Sequence, residues 1–161
     1  MTDKTVQIPR RAMATVFAAA IATPAKTAAP ADGQDVPVEI AKRTASFEEA
    51  FNAGDAPGAV DAYFVRDEDQ PAVYPLGAPP IIGRKPLTTL FASLIERQTA
   101  VRVLQHDLLV SEGLAFETGR VIFTDNQGVD AAGRFAVGWV KTHYGWRAKI
   151  DFYSPDGWSD S

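Results

Sequence analysis

The feature that most constrains this chain is a change of hydrophobic period near Ala100. Upstream, the stretch "VEIAKRTASFEEAFNAGD" sets Ile40, Ala41, Ala45, Phe47, Ala50 and Phe51 on one side at helical spacing. Downstream, the period falls to two in four successive runs, Val101–Val110, Leu114–Thr124, Arg134–Lys141 and Trp146–Ser154. Ser111-Glu112-Gly113 and Thr142 to Gly145 are tight enough to join them as hairpins, and Asp125 to Gly133 makes a longer turn. A chain that is helical first and alternating afterwards predicts an α+β domain with an antiparallel meander. At 161 residues there is room for one such domain.

Punctuation fixes the helices. Gly54 stops the first, Asp55 caps a second with Pro57 in its first turn, and that helix turns Val60, Tyr63 and Phe64 inward. A loop follows, then a short strand around Ala72 to Tyr74 and a Pro/Gly-rich bend. A third helix in "RKPLTTLFASLIERQ" carries Leu87, Leu90, Phe91, Leu94 and Ile95 on one stripe.

Composition excludes several functions. The net charge of −4 and the lack of a dense basic run argue against nucleic acid as a partner. With no cysteine and two distant histidines there is no zinc signature and no thiol chemistry. His143 lies in the "KTHYG" turn, and His106 neighbours Asp107 in a strand where adjacent side chains point oppositely, so both read as structural or surface residues. The "DED" of residues 67–69 and "TDNQGVDAAG" read as solvated turns, and "PLGAPPIIGRK" lacks the ending of a phosphate loop. No serine sits in a nucleophile elbow. No metal and no cofactor is expected.

The N-terminus has its own layout. A net-positive opening, an apolar or small run of 11 residues from Ala12 to Ala22, and an A-x-A-like Ala29-Pro30-Ala31 follow one another as in an export signal. Arg10-Arg11 resembles a twin-arginine signal, though without the large apolar pair after it. The run is too short for a mature membrane span, which needs about 20 apolar residues. The expectation is a signal over 1–31, a linker over 32–38 and one domain over 39–161 in an exported protein; a cytoplasmic protein with an Ala-rich tail is the alternative.

The last run, "GWRAKIDFYS", poses the functional question. Strict alternation puts Trp146, Ala148, Ile150 and Phe152 on one face and Arg147, Lys149, Asp151 and Tyr153 on the other. If the second face looks inward, Asp151 is a carboxylate in a cavity; if it looks outward, Asp151 is a surface charge beside Lys149 and Arg147.

The order "FEEAFNAGDAPGAVDAYF", "IIGRKPLTTLF", "GLAFETGRVIF", "GRFAVGWVKTHYGW" and "KIDFYS" resembles the NTF2-like superfamily, in particular its SnoaL-like and DUF4440-type branch, over roughly Val38 to Ser154. The resemblance implies a cone: three N-terminal helices packed in a strongly bent antiparallel sheet, open at one end onto an apolar pocket. Relatives include isomerases, polyketide cyclases, dehydratases and epoxide hydrolases as well as non-catalytic modules, so the fold leaves the activity open. Related chains often end in a "D-h-W-S"-like motif, whereas here Phe152 and Tyr153 follow Asp151, which removes a possible histidine partner.

Two readings follow from that resemblance. In the first, the protein is a cofactor-independent isomerase, cyclase, dehydratase or hydrolase acting on a small apolar molecule. Asp151 is then the general acid/base, and Tyr153 and Tyr74 are hydrogen-bond donors. Phe51, Tyr63, Phe91, Phe135, Val137 and Trp139, with Phe47, would wall the pocket or simply fill the core. In the second, the chain is a non-catalytic ligand-binding or dimerising module. A homodimer is expected through the convex sheet, with Trp146 and Ile150 at the contact.

Overall fold

The computed structural model describes residues 35–157. The export signal expected at 1–31, and the first three residues of the linker after it, lie outside the described residues. The linker ends sooner than Val38, because helix α1 runs from Val36 to Asn52 with Pro37 in its first turn. Gly54 closes it at φ +80°, in the left-handed region that favours glycine. Helix α2, Ala56–Tyr63, starts where the sequence says it should, with Asp55 Oδ1 accepting from Gly58 N at 2.8 Å. After a 3₁₀ turn at Asp67–Asp69 come strand β1 (Ala72–Pro75), the two-residue strand β2 (Ile81–Ile82) and helix α3 (Arg84–Ile95). Four long strands complete the chain: β3 (Gln98–Ser111), β4 (Leu114–Asp125), β5 (Asp130–Thr142) and β6 (Gly145–Pro155).

The six strands form one sheet in the order β2-β1-β6-β5-β4-β3. Two amendments to the expectation follow. The short strand expected around Ala72 to Tyr74 precedes helix α3, but the sheet is mixed and not purely antiparallel, because β1 pairs parallel to β6, Val73 opposite Asp151. The bend before α3 also contributes a short edge strand, β2, instead of staying irregular.

Helix α1 packs on both β3 and β6, which lie three strand spacings apart. A helix about 10 Å wide reaches both only if the sheet curls around it. The curl is pinned by side chains: Asn52 Oδ1 accepts from Val101 N at 2.7 Å, Glu48 Oε1 accepts from Val103 N, and Glu39 Oε1 accepts from Trp146 N at 2.9 Å. Between sheet and helices lies the core, with Ile40, Phe51, Val60, Leu87, Val137 and Trp139 buried. No helix of the described residues is long and apolar enough to cross a membrane.

Candidate active site

The alternation of β6 does not run unbroken. Trp139 of β5 faces Ala148, but Gly138 faces Ile150, so Lys149 is an extra residue and the strand bulges there. The bulge shifts the phase. Trp146 and Ala148 point inward before it, 2% and 0% exposed, and Asp151 and Tyr153 point inward after it, while Phe152 is 48% exposed. The single apolar stripe expected along β6 is therefore two half-stripes on opposite faces, and Trp146 is a core residue, not part of any outer contact.

Behind the bulge lies a cavity of about 280 Å³ between the inner face of the sheet and helices α1, α2 and α3. Asp151 and Tyr153 line it from β6, Phe135 from β5, Tyr63 from α2, Phe91 from α3 and Phe47 from α1. Gly133, directly across from the Tyr153 ring, leaves that ring room to lie against β5, since an added Cβ would overlap it. Three of the residues expected to line the cavity do not. Phe51, Val137 and Trp139 are buried in the core beside or beneath it, where their neighbours leave no open surface. Tyr74 is also misplaced by the sequence reading: it stacks on Phe152 at 5.0 Å on the outer face, because parallel pairing sets it opposite Phe152.

Asp151 carries the chemistry. Its side chain borders the cavity, yet Oδ1 is shut off and has no hydrogen-bond partner. Desolvation first, and the nearby Glu117 charge second, push its carboxyl from the ordinary 3.8 up to about 7. Some of the side chain touches the cavity space, but the walls there are mostly hydrocarbon, so the loss of hydration governs.

Glu117 is the residue that the sequence did not single out. It is 1% exposed, and its Oε2 accepts from Trp139 Nε1 at 2.8 Å. Glu117 pairs with Val137 and Val137 with Asp151, so the two carboxyl groups lie in one row on the inner face, two strands and roughly 10 Å apart at the backbone. Burial raises the Glu117 carboxyl too, partly offset by the Trp139 bond. Glu117 shares a register with Ala115 and Val121, both buried, but the larger Leu114 and Phe116 on the opposite register point the other way, so the phase of β4 did not single it out.

Tyr63 lies near enough to both groups to feel their charges. It is held by Phe47, Phe64 and Trp139, with ring centroids 5.0, 5.1 and 4.9 Å away. Burial first, then the charges of Asp151 and Glu117, raise its phenol well above the ordinary range. Burial, then Asp156, raises that of Tyr153. Both hydroxyls therefore stay protonated and able to donate near neutral pH. Among the described residues no group of three His, Cys, Asp or Glu side chains gathers to hold a metal ion. Neither His106 nor His143 borders this cavity.

No family model and no curated protein matches the sequence. Solved structures do match the fold. A ketosteroid isomerase-like protein from Erwinia carotovora atroseptica SCRI1043 superposes with a TM-score of 0.61 at 20% identity, over 77% of this chain and 98% of that one. An NTF2-like protein with a cystatin-like fold from Novosphingobium aromaticivorans gives 0.65 at 16% identity, over 80% and 86%. A proposed dehydratase of the NTF2-like family from Streptomyces avermitilis gives 0.62 at 17% identity, over 77% and 97%. With its helices gathered on one face of a curled six-stranded sheet, the chain has the NTF2-like fold.

Proposed function

We propose that this protein is an acid–base catalyst of the SnoaL-like kind, needing no cofactor. It would shift or remove a proton on a small, mainly apolar molecule, as isomerases, cyclases and dehydratases do. The observation that carries this reading is Asp151: a carboxyl on an apolar cavity wall, raised to about 7, so that near neutral pH it exchanges a proton in either direction. Asp151 would take the proton from carbon and return it, while the Tyr63 or Tyr153 hydroxyl donates to the oxygen on which charge develops. Glu117, below the cavity, keeps Asp151 from ionising too readily. The names of the structural neighbours, isomerase-like and dehydratase, support the reaction class without fixing the substrate.

A non-catalytic small-ligand carrier is the second reading, favoured by the position of Tyr74 outside the cavity. Wild type and Asp151→Asn, compared for hydrogen–deuterium exchange at the α-carbon of 2-tetralone, separate the two. The acid–base reading expects a loss of about 10²–10⁴-fold in the variant. Equal exchange in both proteins, with the Asp151 carboxyl carbon titrating near 4, leaves only the carrier. A homodimer through the outer sheet face belongs to the same proposal, with Phe116, Leu109 and Phe152 as its exposed apolar residues. Export through the N-terminal segment is proposed on the sequence alone.

A further inference from the structure

A second depression, about 470 Å³ in volume, lies between the 3₁₀ turn after α2 and the hairpin that joins β5 to β6. It shares no lining residue with the apolar cavity. Arg66, Arg84 and Arg147 line it from distant parts of the chain. Arg43 of α1 stands at its edge, with Nη2 donating to Tyr144 O at 3.3 Å.

Among the described residues, Arg84 alone of these four forms an ion pair. Its partner is Asp61, and Asp67 Oδ1 accepts from the Arg84 backbone N at 2.9 Å. Arg66 is held by stacking instead, its Cζ 4.0 Å from the centroid of the Tyr144 ring. Stacking occupies the face of a guanidinium and leaves its in-plane N–H groups open to an acceptor. Arg147 gives Nη1 to Trp146 O at 2.8 Å and meets no carboxylate.

Acidic side chains also border the depression, but they sit farther out. The Asp61 side chain is 70% exposed against 19% for Arg84, and Asp67, Glu68 and Asp69 of the turn are exposed. Water screens charges placed there, whereas the half-buried Arg43, Arg84 and Arg147 are screened less. The balance is felt at Arg147. Burial first, then Arg43, push its guanidinium below the ordinary range; Arg66 and Arg84 act the same way, and Glu39 is the carboxylate that opposes them. That carboxylate is already engaged, since Glu39 Oε1 accepts from Trp146 N. Cations gathered in this way repel one another, so the cluster gains most from an added anion.

We infer that this depression is an oxyanion site for a phosphate group, free or carried on a small organic molecule, with Arg66 and Arg147 as its donors and Arg43 adding charge. Phosphate suits it better than a carboxylate. Its tetrahedral oxygens can accept from guanidiniums that approach from a helix, a loop and a strand, while a carboxylate offers one plane. The site is independent of any reaction at Asp151.

The test titrates inorganic phosphate, phenyl phosphate and acetate into the full chain by calorimetry, with sodium chloride of matched ionic strength as the blank. Phosphate should bind about tenfold more tightly than acetate. Amide shifts read by NMR should change within residues 64–69 and 142–147 and stay unmoved at 151–153. Arg66→Gln and Arg147→Gln should each weaken phosphate about tenfold, the worth of one charge-assisted hydrogen bond. Arg66 is exposed, so its variant decides the matter even where Arg147→Gln does not fold. Tighter binding of phenyl phosphate assigns the site to an organic phosphate beside Tyr144, and equal binding assigns it to the free anion; both keep the site. Phosphate heat no greater than the chloride blank overturns the inference. So does acetate binding as tightly as phosphate, an unchanged phosphate affinity in Arg66→Gln, or shifts confined to the apolar cavity.

Discussion

Folding moves the Asp151 carboxyl from an ordinary 3.8 to about 7, so between those pH values the folded protein holds a proton that the unfolded chain has released. Stability from this group is complete below about pH 4 and is lost as pH rises through 7. At about 1.4 kcal/mol per tenfold change in proton affinity, the loss reaches up to about 4 kcal/mol. That is an upper figure, because part of the side chain borders the cavity and any water there lowers the penalty. Asparagine has nearly the same volume and no charge at any pH. The wild type should therefore weaken relative to Asp151→Asn between pH 4.5 and pH 8, by up to about 3 kcal/mol in urea unfolding and roughly 10 °C in Tm. Glu117 is shifted in the same direction but is present in both proteins, so the difference between them isolates Asp151. Parallel stability curves across that range, with the carboxyl carbon titrating near 4, would refute the reasoning.

Glu117→Gln should lower the Asp151 pKa, since the second negative charge is gone, while the glutamine oxygen can still accept from Trp139 Nε1; carbon-detected NMR titration reads the change. Gly133→Ala should displace the Tyr153 ring and cost about 1–3 kcal/mol, because the added methyl overlaps that ring; denaturant unfolding and the Tyr153 ring resonances check it. Light scattering at tens of micromolar should give a dimer that Phe116→Lys with Phe152→Lys converts to a monomer, and a monomeric wild type removes the outer-face interface.

Helix ends were legible because single residues enforce them. Asp55 and Pro57 admit few alternatives to a helix start, and Gly113 and Gly145 take positive φ at the two hairpins expected. Strand existence was legible from period two. Which way a strand faces was not. Along β4 the large apolar residues Leu114 and Phe116 share one register, so simple burial would send them inward and Glu117 out. The structure does the reverse: Leu114 is 58% and Phe116 45% exposed, and Glu117 is buried because Trp139 supplies its hydrogen bond. That partner lies 22 residues away, across a strand pair, and no local pattern reports it. The parallel pairing that carries Tyr74 to the outer face is likewise a long-range choice, made between the fourth strand of the meander and an element about 80 residues earlier in sequence.

The bulge at Lys149 makes the chemistry of the cavity depend on chain length as well as on residue identity. Deleting that one residue would leave every other side chain in place in the sequence and restore an even count between Trp146 and Tyr153. Plain alternation from Trp146 would then set Asp151 and Tyr153 inward with no bulge at all, whereas keeping Lys149 and straightening the bulge would turn the end of the strand over, presenting Phe152 to the cavity and Asp151 to solvent. In chains with this architecture a one-codon insertion in this strand therefore keeps or loses the interior acid according to whether the sheet absorbs it as a bulge, and comparisons of aligned columns would score both outcomes as the same gap.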